Sequence, residues 1–448
     1  MPGEKRNYPR IKTDSAAKIN LHMPAQLSDV SEGGAGVSAI EEIASPAIIL
    51  EIDFPAIEPA FKAQAKLVWK RGFGGEGFVY GFELIDLSEA QKALIRKQII
   101  RQQLNNLLED VRLTEARKLI ENFFLKDMLE CMEGIIKLNS LIAKQEGYSE
   151  ELAARFEQIN NQIVLKGYCL DELLSHAEVS KKIRVHFRQL FGAWAYKSPI
   201  VHHALLKPRG YAGDYKLLEL IYENNPVFCA TIGYYYDRYF LKSPHAVGLR
   251  MRKDRLRDML ARFIAAAKQE KMNILAIGCG PCREIRELLP QLNSNTQALF
   301  SCLDWDEEAL FFSERQLLPL KPKNVDFKFI KEDLVNLMSL ESKKQATGGQ
   351  HIIYSIGLSD YLPNEELKAL MVSLYALLHT QGKLILTHKN RDKTFPSISP
   401  DWFCDWKFVS RNRDEVIKLI HEIGIPKFSL LTETDDFGYI HYFILTKL

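Results

Sequence analysis

The sequence predicts a multidomain chain: a small β-barrel at the N-terminus, an all-α middle, and an α/β, Rossmann-like domain at the C-terminus. Three observations carry this reading. Short apolar runs punctuated by Gly, Pro and Ser fill residues 16–87, the texture of a small barrel or sandwich. From about Asp110 to His203 apolar residues recur at spacings of three and four, with no proline before Pro199, which is a helical pattern. From about Ser243 strand and helix patterns alternate, which means a parallel sheet with crossover helices. The expected domains are 1–108, 109–242 and 243–448.

Composition bounds the function. A chain of 448 residues holds two to four domains, and 46% hydrophobic with 26% charged residues is ordinary for a globular protein. Lys and Arg number 59 against 57 Asp and Glu, a net charge of +2. That balance argues against a broad electrostatic partner such as a nucleic-acid polymer or an anionic membrane; any phosphate site must be local. Seven cysteines in so long a chain are no disulfide framework and fit a reducing, cytoplasmic location. MPGEKRNYPR lacks the apolar stretch of a secretion signal, and no run of about 18 apolar residues suggests a transmembrane segment. No metal site is expected.

The elements follow in order. Strands are expected at Ala17–Leu21, Val37–Ile40, Ile48–Ile52, Ala63–Trp69 and Phe78–Leu84, with RGFGGEG as a glycine-dense hairpin connection. Ser88 and Gln91 have capping-box spacing and open a helix over 89–108. In the middle, Leu113, Ala116, Ile120, Phe123, Phe124 and Met128 mark one helical face. The C-terminal part reads as a helix (Ala246–Ala267), a strand (Asn273–Ile277), a glycine turn and a helix (Arg283–Leu292). Strands follow at Ala298–Leu303, Val325–Ile330, His351–Ser355 and Gly382–His388. The polar segment Ser342–Gln350 reads as a loop. Lys427–Leu431 and Tyr439–Leu445 read as an antiparallel hairpin closing the sheet edge.

At the front, Arg6 and Arg10 are four apart, ahead of the first strand, and Asp29, Ser31 and Gly34 follow in DVSEGG. Arginine forks match phosphate oxygens and guanine edges. Asp or Ser in a glycine turn can bond a base or backbone amides without crowding. RxxxR, a strand, DxSxxG and a β pattern ending in a helix together resemble the PilZ domain over about residues 4–108. The resemblance implies a receptor for cyclic di-GMP, with Arg6 and Arg10 clamping phosphates and guanines and Asp29, Ser31 and Gly34 completing the site.

In NILAIGCGPCREI, Gly278 and Gly280 sit in a strand-to-helix turn. Glycine lets backbone approach a nucleotide, and the helix start offers free amides. Asp304 ends the next strand, where a carboxylate accepts ribose hydroxyls, and Asp333 follows a third. This order resembles class I S-adenosylmethionine-dependent methyltransferases. The resemblance implies a cofactor site of Ile277, Gly278, Cys279, Gly280, Asp304, Trp305, Asp333, Leu334 and Ser355. Two departures stand out: Ala276 replaces the acid often found two before the first glycine, and Cys282 stands at the third glycine position. A rival reading is the CGPC of thioredoxin-like oxidoreductases, whose helix-start thiolate is reactive, although Gly278 stands where that motif has tryptophan.

KPRGYAGDY at 207–215 packs two glycines, a proline, two tyrosines, Arg209 and Asp214 into nine residues, the composition of an ordered, functional loop. IYSIGLSDYLP carries Tyr354, Asp360 and Tyr361 at the carboxyl end of the fourth strand, where an open α/β sheet binds its substrate. WFCDWKFVSRNR at 402–413 follows the fifth and could wall the pocket. Together these motifs resemble the bacterial 3-hydroxypalmitic acid methyl ester synthases, which make a quorum-sensing signal, over about residues 110–448. The implied chemistry is O-methylation of a fatty-acid carboxylate. Such an acceptor is already anionic, so positioning and water exclusion supply most of the rate. Arg209, Tyr211 and Tyr361 are the candidates for holding it, with His388 as an alternative donor. The competing class is a signalling adaptor whose methyltransferase domain is degenerate, or a methyltransferase acting on a protein.

Overall fold

The computed structural model describes residues 8–13, 15–54, 60–72, 77–108, 114–226, 231–267, 270–292, 297–333, 349–394 and 398–448. Contacts divide the chain into two units, Met1–His202 with Phe228–Tyr236, and His203–Val227 with Asp237–Leu448. The expected middle domain is therefore shared out. Its helices up to His202 belong with the barrel, and the KPRGYAGDY loop belongs with the α/β sheet.

The first unit opens with strands β1 (Ile11–Lys12), β2 (Ala16–Ile19), β3 (Met23–Ser31), β4 (Gly34–Ala39), β5 (Ala47–Ile52), β6 (Phe61–Gly72) and β7 (Phe78–Ile85). They pair in the order β1-β3-β2-β5-β6-β7-β4, and β3 also pairs with β4. Six strands thus close a barrel, and closure leaves few edges to protect. Alternation turns one face inward: Phe61, Ala63 and Ala65 of β6 are buried while Lys62, Gln64 and Lys66 are exposed. The first expected strand ends early, at Ile19, because Asn20 (φ 51°) and Leu21 (φ 69°) adopt left-handed conformations and turn the chain. β3 is not announced by its composition. Its MPAQLSDVS carries Pro24 and mostly polar residues, yet it supplies Asp29 and Ser31. Residues 73–76 of the glycine-dense connection lie outside the described ones, but Gly72 pairs with Phe78, so the flanking strands do form a hairpin.

The helix Glu89–Leu108 begins at the expected box: Gln91 N donates to Ser88 Oγ (3.2 Å) and Ser88 N to Gln91 Oε1 (2.9 Å). Ile95, Ile99, Ile100 and Leu104 are its buried face. Helices Thr114–Asn122, Leu129–Ile142, Glu150–Leu174 and Ala177–Ala195 follow, with a π-helical turn over Phe123–Met128. Ile120, Phe123, Phe124 and Met128 of the expected face are buried; Leu113 lies outside the described residues. One buried charge pair stands out. Glu32, in the turn between β3 and β4, meets Arg96 at 2.8 Å, without the alignment of a hydrogen bond. Burial outweighs Arg96 and pushes the Glu32 carboxyl up to about 7.

The second unit is built on β8 (Lys271–Ile277), β9 (Gln297–Asp304), β10 (Val325–Lys331), β11 (Gln350–Ser355), β12 (Leu378–Lys389), β13 (Phe428–Thr434) and β14 (Ile440–Lys447). The order is β10-β9-β8-β11-β12-β14-β13, parallel except that β14 runs antiparallel to both neighbours. Strand order reverses between β8 and β11, the position where open α/β sheets bind ligands. Both faces are covered. Ile274 and Ala276 pack with Leu256, Met259 and Leu260 of the helix Pro244–Ala265. Leu275 and Ile277 pack with Leu367, Leu370 and Leu374 of the helix Asn364–Ala376. Strands buried on both sides read as continuous apolar runs, which is why ILAI and HIIYS were legible. The helix expected over 283–292 ends at Leu288 and tightens to a 3₁₀ turn at Leu289–Gln291, where Pro290 cannot continue it. Of the segment expected as a loop at 342–350, residues 342–348 lie outside the described ones. No helix among the described residues is long and apolar enough to cross a membrane.

The raised Glu32 group sets a pH dependence. The folded state holds this proton more tightly than the unfolded chain (about 7 against 4.5). Its contribution to stability is therefore complete below about pH 4.5 and is lost as pH rises through 7, by at most about 1.4 kcal/mol per pH unit. Hydrogen exchange of barrel amides, corrected for intrinsic rates, should show this decline in the wild type and a flatter profile in Glu32→Gln. Equal slopes would contradict it.

Candidate functional site

Two places gather the expected residues. In the barrel, Arg10 forms an ion pair with Asp29, and Asp29 Oδ1 also accepts from Gly36 N at 2.9 Å. Ser31 pairs with Gly34 across the tight turn, and its Oγ donates to Gly34 O at 3.3 Å. A Cβ at residue 34 would stand 2.6 Å from Phe82 O, so that position needs glycine for close strand approach. Gly36 was not singled out. A Cβ there would meet Asp29 Oδ1 and Ser28 Oγ at 2.7 Å, and its signal is the GAG spacing after Gly34. The structure thus groups Arg10, Asp29, Ser31, Gly34 and Gly36 on one rim, while Arg6 lies outside the described residues.

The second place is a cavity of about 590 Å³ within the α/β unit, at the point where strand order reverses. One wall is the glycine turn. Gly278 (φ 59°) and Gly280 (φ 51°) are left-handed, and a Cβ at either would meet nothing nearer than 3.6 Å. The bare backbone therefore faces open space. Asp304 closes this wall. Its Oδ2 accepts from Gly280 N at 2.8 Å and its Oδ1 from Asp306 N at 2.9 Å. Burial raises its carboxyl while these two amides pull it back. Each oxygen keeps a lone pair for a further donor.

The KPRGYAGDY loop is tied to this wall. Arg209 donates Nε and Nη2 to Asp306 (3.0 and 2.6 Å) and Nη1 to Glu308 (2.5 Å). Tyr211 OH donates to Asp306 Oδ2 at 3.1 Å, and the Tyr211 ring lies 5.0 Å from that of Trp305. Against the cost of burial, Arg209 and Tyr211 hold the Asp306 carboxyl below its usual range. Asp214 caps the next helix through Leu217 N (3.0 Å), and Lys207 Nζ donates to Asp405 O (2.9 Å). Gly213 (φ 78°) passes beneath Trp406 and Tyr361; a Cβ there would meet Trp406 at 2.6 Å. Trp406 Nε1 in turn donates to Tyr361 OH at 2.7 Å.

The opposite wall centres on Asp360, fully buried after β11. Its Oδ2 receives Lys389 Nζ (3.0 Å) and Arg252 Nη1 (3.3 Å), and its Oδ1 receives Lys389 N (2.9 Å). Burial would raise this carboxyl, but Lys389 and Arg252 overcome it and hold it far below the usual range. The same burial pulls Lys389 down to about 8.

Of the expected residues, the cavity wall holds Tyr211, Gly278, Gly280, Asp304, Trp305 and Tyr361. Arg209 is engaged by Asp306 and Glu308 instead, so it fixes the loop. His388 lies behind the wall, its Nδ1 3.3 Å from Asp360, and burial lowers it to about 4, which leaves it neutral. Ile277 and Cys279 are buried in the packing beneath the turn, Ser355 is buried at the end of β11, and Asp333 is exposed off the cavity. Leu334 lies outside the described residues. Sequence reasoning missed Arg252 and Lys389. Arg252 sits in RMRKDRLR, where nothing separates one inward cation from its solvated neighbours.

The CGPC cysteines face the core. Cys279, Cys282 and Cys302 are buried within bonding reach of one another. Hydrogen bonds with Cys279 and Cys302 pull the Cys282 thiol down, and its bond with Cys282 pushes Cys279 up. Burial, not reactivity, governs thiols so placed. Of the six free cysteines described, Cys169 alone is exposed. A thiol reagent should label Cys169 in the native protein and reach these three after denaturation. Rapid native labelling of Cys279 or Cys282 would restore the redox reading.

Comparison with known proteins adds the following. Residues 209–439 match the family described as Putative methyltransferase, and residues 4–101 match the PilZ domain. No curated protein matches the chain. Similar solved structures include magnesium protoporphyrin IX methyltransferase from Synechocystis PCC 6803 with bound SAH (15% identity, 46% of this chain and 87% of that one, TM-score 0.35). N-methyltransferase NodS from Bradyrhizobium japonicum WM9 with S-adenosyl-L-homocysteine is another (11% identity, 44% and 87%, TM-score 0.30). For the front of the chain there is the inhibitor of motility of Bacillus subtilis (18% identity, 22% and 52%, TM-score 0.21).

Proposed function

The chain belongs to the Putative methyltransferase family, and from that premise we propose that it moves the methyl group of S-adenosylmethionine onto the carboxylate of a fatty-acid-like 3-hydroxy acid, under control of cyclic di-GMP bound at its PilZ domain. The cofactor fits the glycine wall: Gly278 and Gly280 leave the space a Cβ would fill, and Asp304 keeps lone pairs for ribose hydroxyls. When bound, the cofactor supplies an electrophilic methyl carbon on a sulfonium. Trp305 and Tyr211 are suited to flank its nucleoside.

One observation supports a carboxylate acceptor above all: among the described residues lining the cavity there is no histidine, and each carboxylate already accepts from, or pairs with, the protein. Asp304 is engaged by two backbone amides. Asp405 lies between Lys207 and Lys407. Burial raises the Tyr211 and Tyr361 hydroxyls, so they are donors at neutral pH. Lys389, at about 8, is mostly protonated there. A hydroxyl or amine acceptor would need a base; a carboxylate arrives deprotonated. Leu218, Leu249 and Leu358 give the cavity an apolar side for an acyl chain. The uncharged methyl ester suits a diffusible signal, and free thiols suit a cytoplasmic location.

Incubation with a methyl-labelled donor and bacterial extract should put label into the lipid fraction, and mild base should release it as methanol, the mark of an ester. Label in protein, or base-stable label, would overturn the carboxylate assignment.

At the barrel, Arg10 and Asp29 would turn from each other to the phosphates and guanines of cyclic di-GMP. Titration calorimetry should give binding heat in the wild type and none in Arg10→Ala; equal heats would remove the receptor. If the nucleotide controls transfer, its effect on donor affinity must equal the donor's effect on nucleotide affinity.

A further inference from the structure

We propose that Arg252 and Lys389, clamped by Asp360, are the seat for the anionic group of the methyl acceptor and decide which acceptors enter; this rests on the carboxylate reading above.

Placement comes first. Arg252 arrives from the helix Pro244–Ala265, Asp360 from the turn after β11, and Lys389 from the end of β12. Three elements thus converge at the carboxyl ends of the two strands beyond the reversal, and two of them, through Arg252 and Lys389, reach the cavity that Gly278, Gly280 and Asp304 also line. Arg252 and Lys389 both line the cavity, although only 4% and 7% exposed.

The charge balance comes next. One carboxylate faces two cations, and both reach the same oxygen, Asp360 Oδ2. The histidines beside them are neutral and add no further positive charge: His388 is lowered to about 4 and His245 is lowered by burial. A third buried cation, Arg411, spends its donors on Ser359 O, Leu362 O and Asn364 Oδ1. Of the other buried acids, Glu284 is pushed up to about 8 and hydrogen-bonds Tyr354, and Asp304 accepts from the amides of Gly280 and Asp306. A net positive charge is left at the cavity wall. Arg252 Nε is buried without a hydrogen-bond partner, and Lys389 Nζ stands 3.4 Å from the centre of the Phe408 ring, itself an acceptor of positive charge. A buried cation without its full complement of acceptors is costly, and an anion from solution would complete it.

The seat also answers what Arg209 does not. Arg209 is committed to Asp306 and Glu308; Arg252, which also hydrogen-bonds the Tyr222 hydroxyl, and Lys389 both line the cavity where an acceptor would lie. Held through one oxygen, a carboxylate would keep its second oxygen free to attack the methyl carbon; the O–C bond would form as the S–C bond breaks, the electron pair staying on sulfur to leave a neutral thioether. A neutral amide of the same length would leave the surplus charge unmatched and be rejected.

The experiment uses the full chain, 3-hydroxypalmitate as acceptor and 3-hydroxypalmitamide as its neutral analogue. In the wild type loaded with S-adenosylhomocysteine, the demethylated donor, calorimetry should give heat with the acid and at least about tenfold weaker binding of the amide. Lys389→Met should raise acceptor KM about tenfold or more while leaving donor Kd within about twofold, and Lys389→Arg should restore most of the loss. Equal binding of acid and amide would overturn the seat. So would a Lys389→Met variant whose donor Kd rises while acceptor KM stays put, since the cations would then hold the donor's own carboxylate. Should Lys389→Met lose its native circular dichroism, the acid-against-amide comparison in the wild type decides alone. A wild type that binds the acid over the amide yet transfers no label would sink the carboxylate methylation and leave the seat standing.

Discussion

The carboxylate of Asp304 is the point on which the α/β unit's site depends. Through one oxygen it fixes the backbone of the glycine turn at Gly280, and through the other it fixes the chain at Asp306. Asp306 then holds Arg209 and Tyr211, which bring the KPRGYAGDY loop over the cavity. Farther along that loop, Gly213 passes under Trp406 and Tyr361 from the other side of the strand reversal. A short relay of hydrogen bonds therefore connects the end of β9 to the aromatic wall. Each link is partly buried, where such bonds gain strength and an unpaired partner is expensive.

The two units handle buried acids by the same physics and reach opposite results. Glu32 has one close cation, Arg96, and burial wins, so its carboxyl rises to about 7. Asp360 has Lys389 and Arg252 on one oxygen and a backbone amide on the other, so burial loses and its carboxyl falls far below the ordinary range. What differs is the number of cations within reach. The first arrangement makes a group that titrates near neutrality within the DxSxxG turn. The second makes a permanent anion whose partners carry charge to spare.

Most of the fold was legible because burial on both faces, or on alternate residues, writes itself into the order of apolar side chains. ILAI at β8 and FKAQAK at β6 are examples. β3 was not legible, since its middle is polar and its role in closing the barrel is set by pairing with β2 and β4 rather than by its own side chains. Glycines and acids of the donor wall could be named because conformation and spacing constrain them. The acceptor wall could not. Arg252 and Lys389 matter through which way they point from a helix and a strand end, and their sequence neighbours Arg250, Lys253 and Arg391 look the same. Arg209 shows the converse: a cation in a functional loop whose charge is consumed by Asp306 before any ligand arrives.

On the proposed reading, in which Arg252 and Lys389 seat a carboxylate acceptor, the surplus cation has a consequence for turnover. Stabilising the carboxylate by itself would deepen the ground state and slow the transfer, because its charge disappears as the ester forms. The arrangement limits that penalty. Asp360 already engages both cations, so an incoming anion meets a shared, partly neutralised field rather than a bare ammonium or guanidinium. Once the methyl group has moved, the ester no longer carries the charge that held the acid, and Asp360 again satisfies Lys389 and Arg252 alone. Binding strength is therefore attached to the acceptor and withdrawn from the product. Were the product an uncharged, apolar ester inclined to stay in an apolar cavity, that withdrawal would favour release.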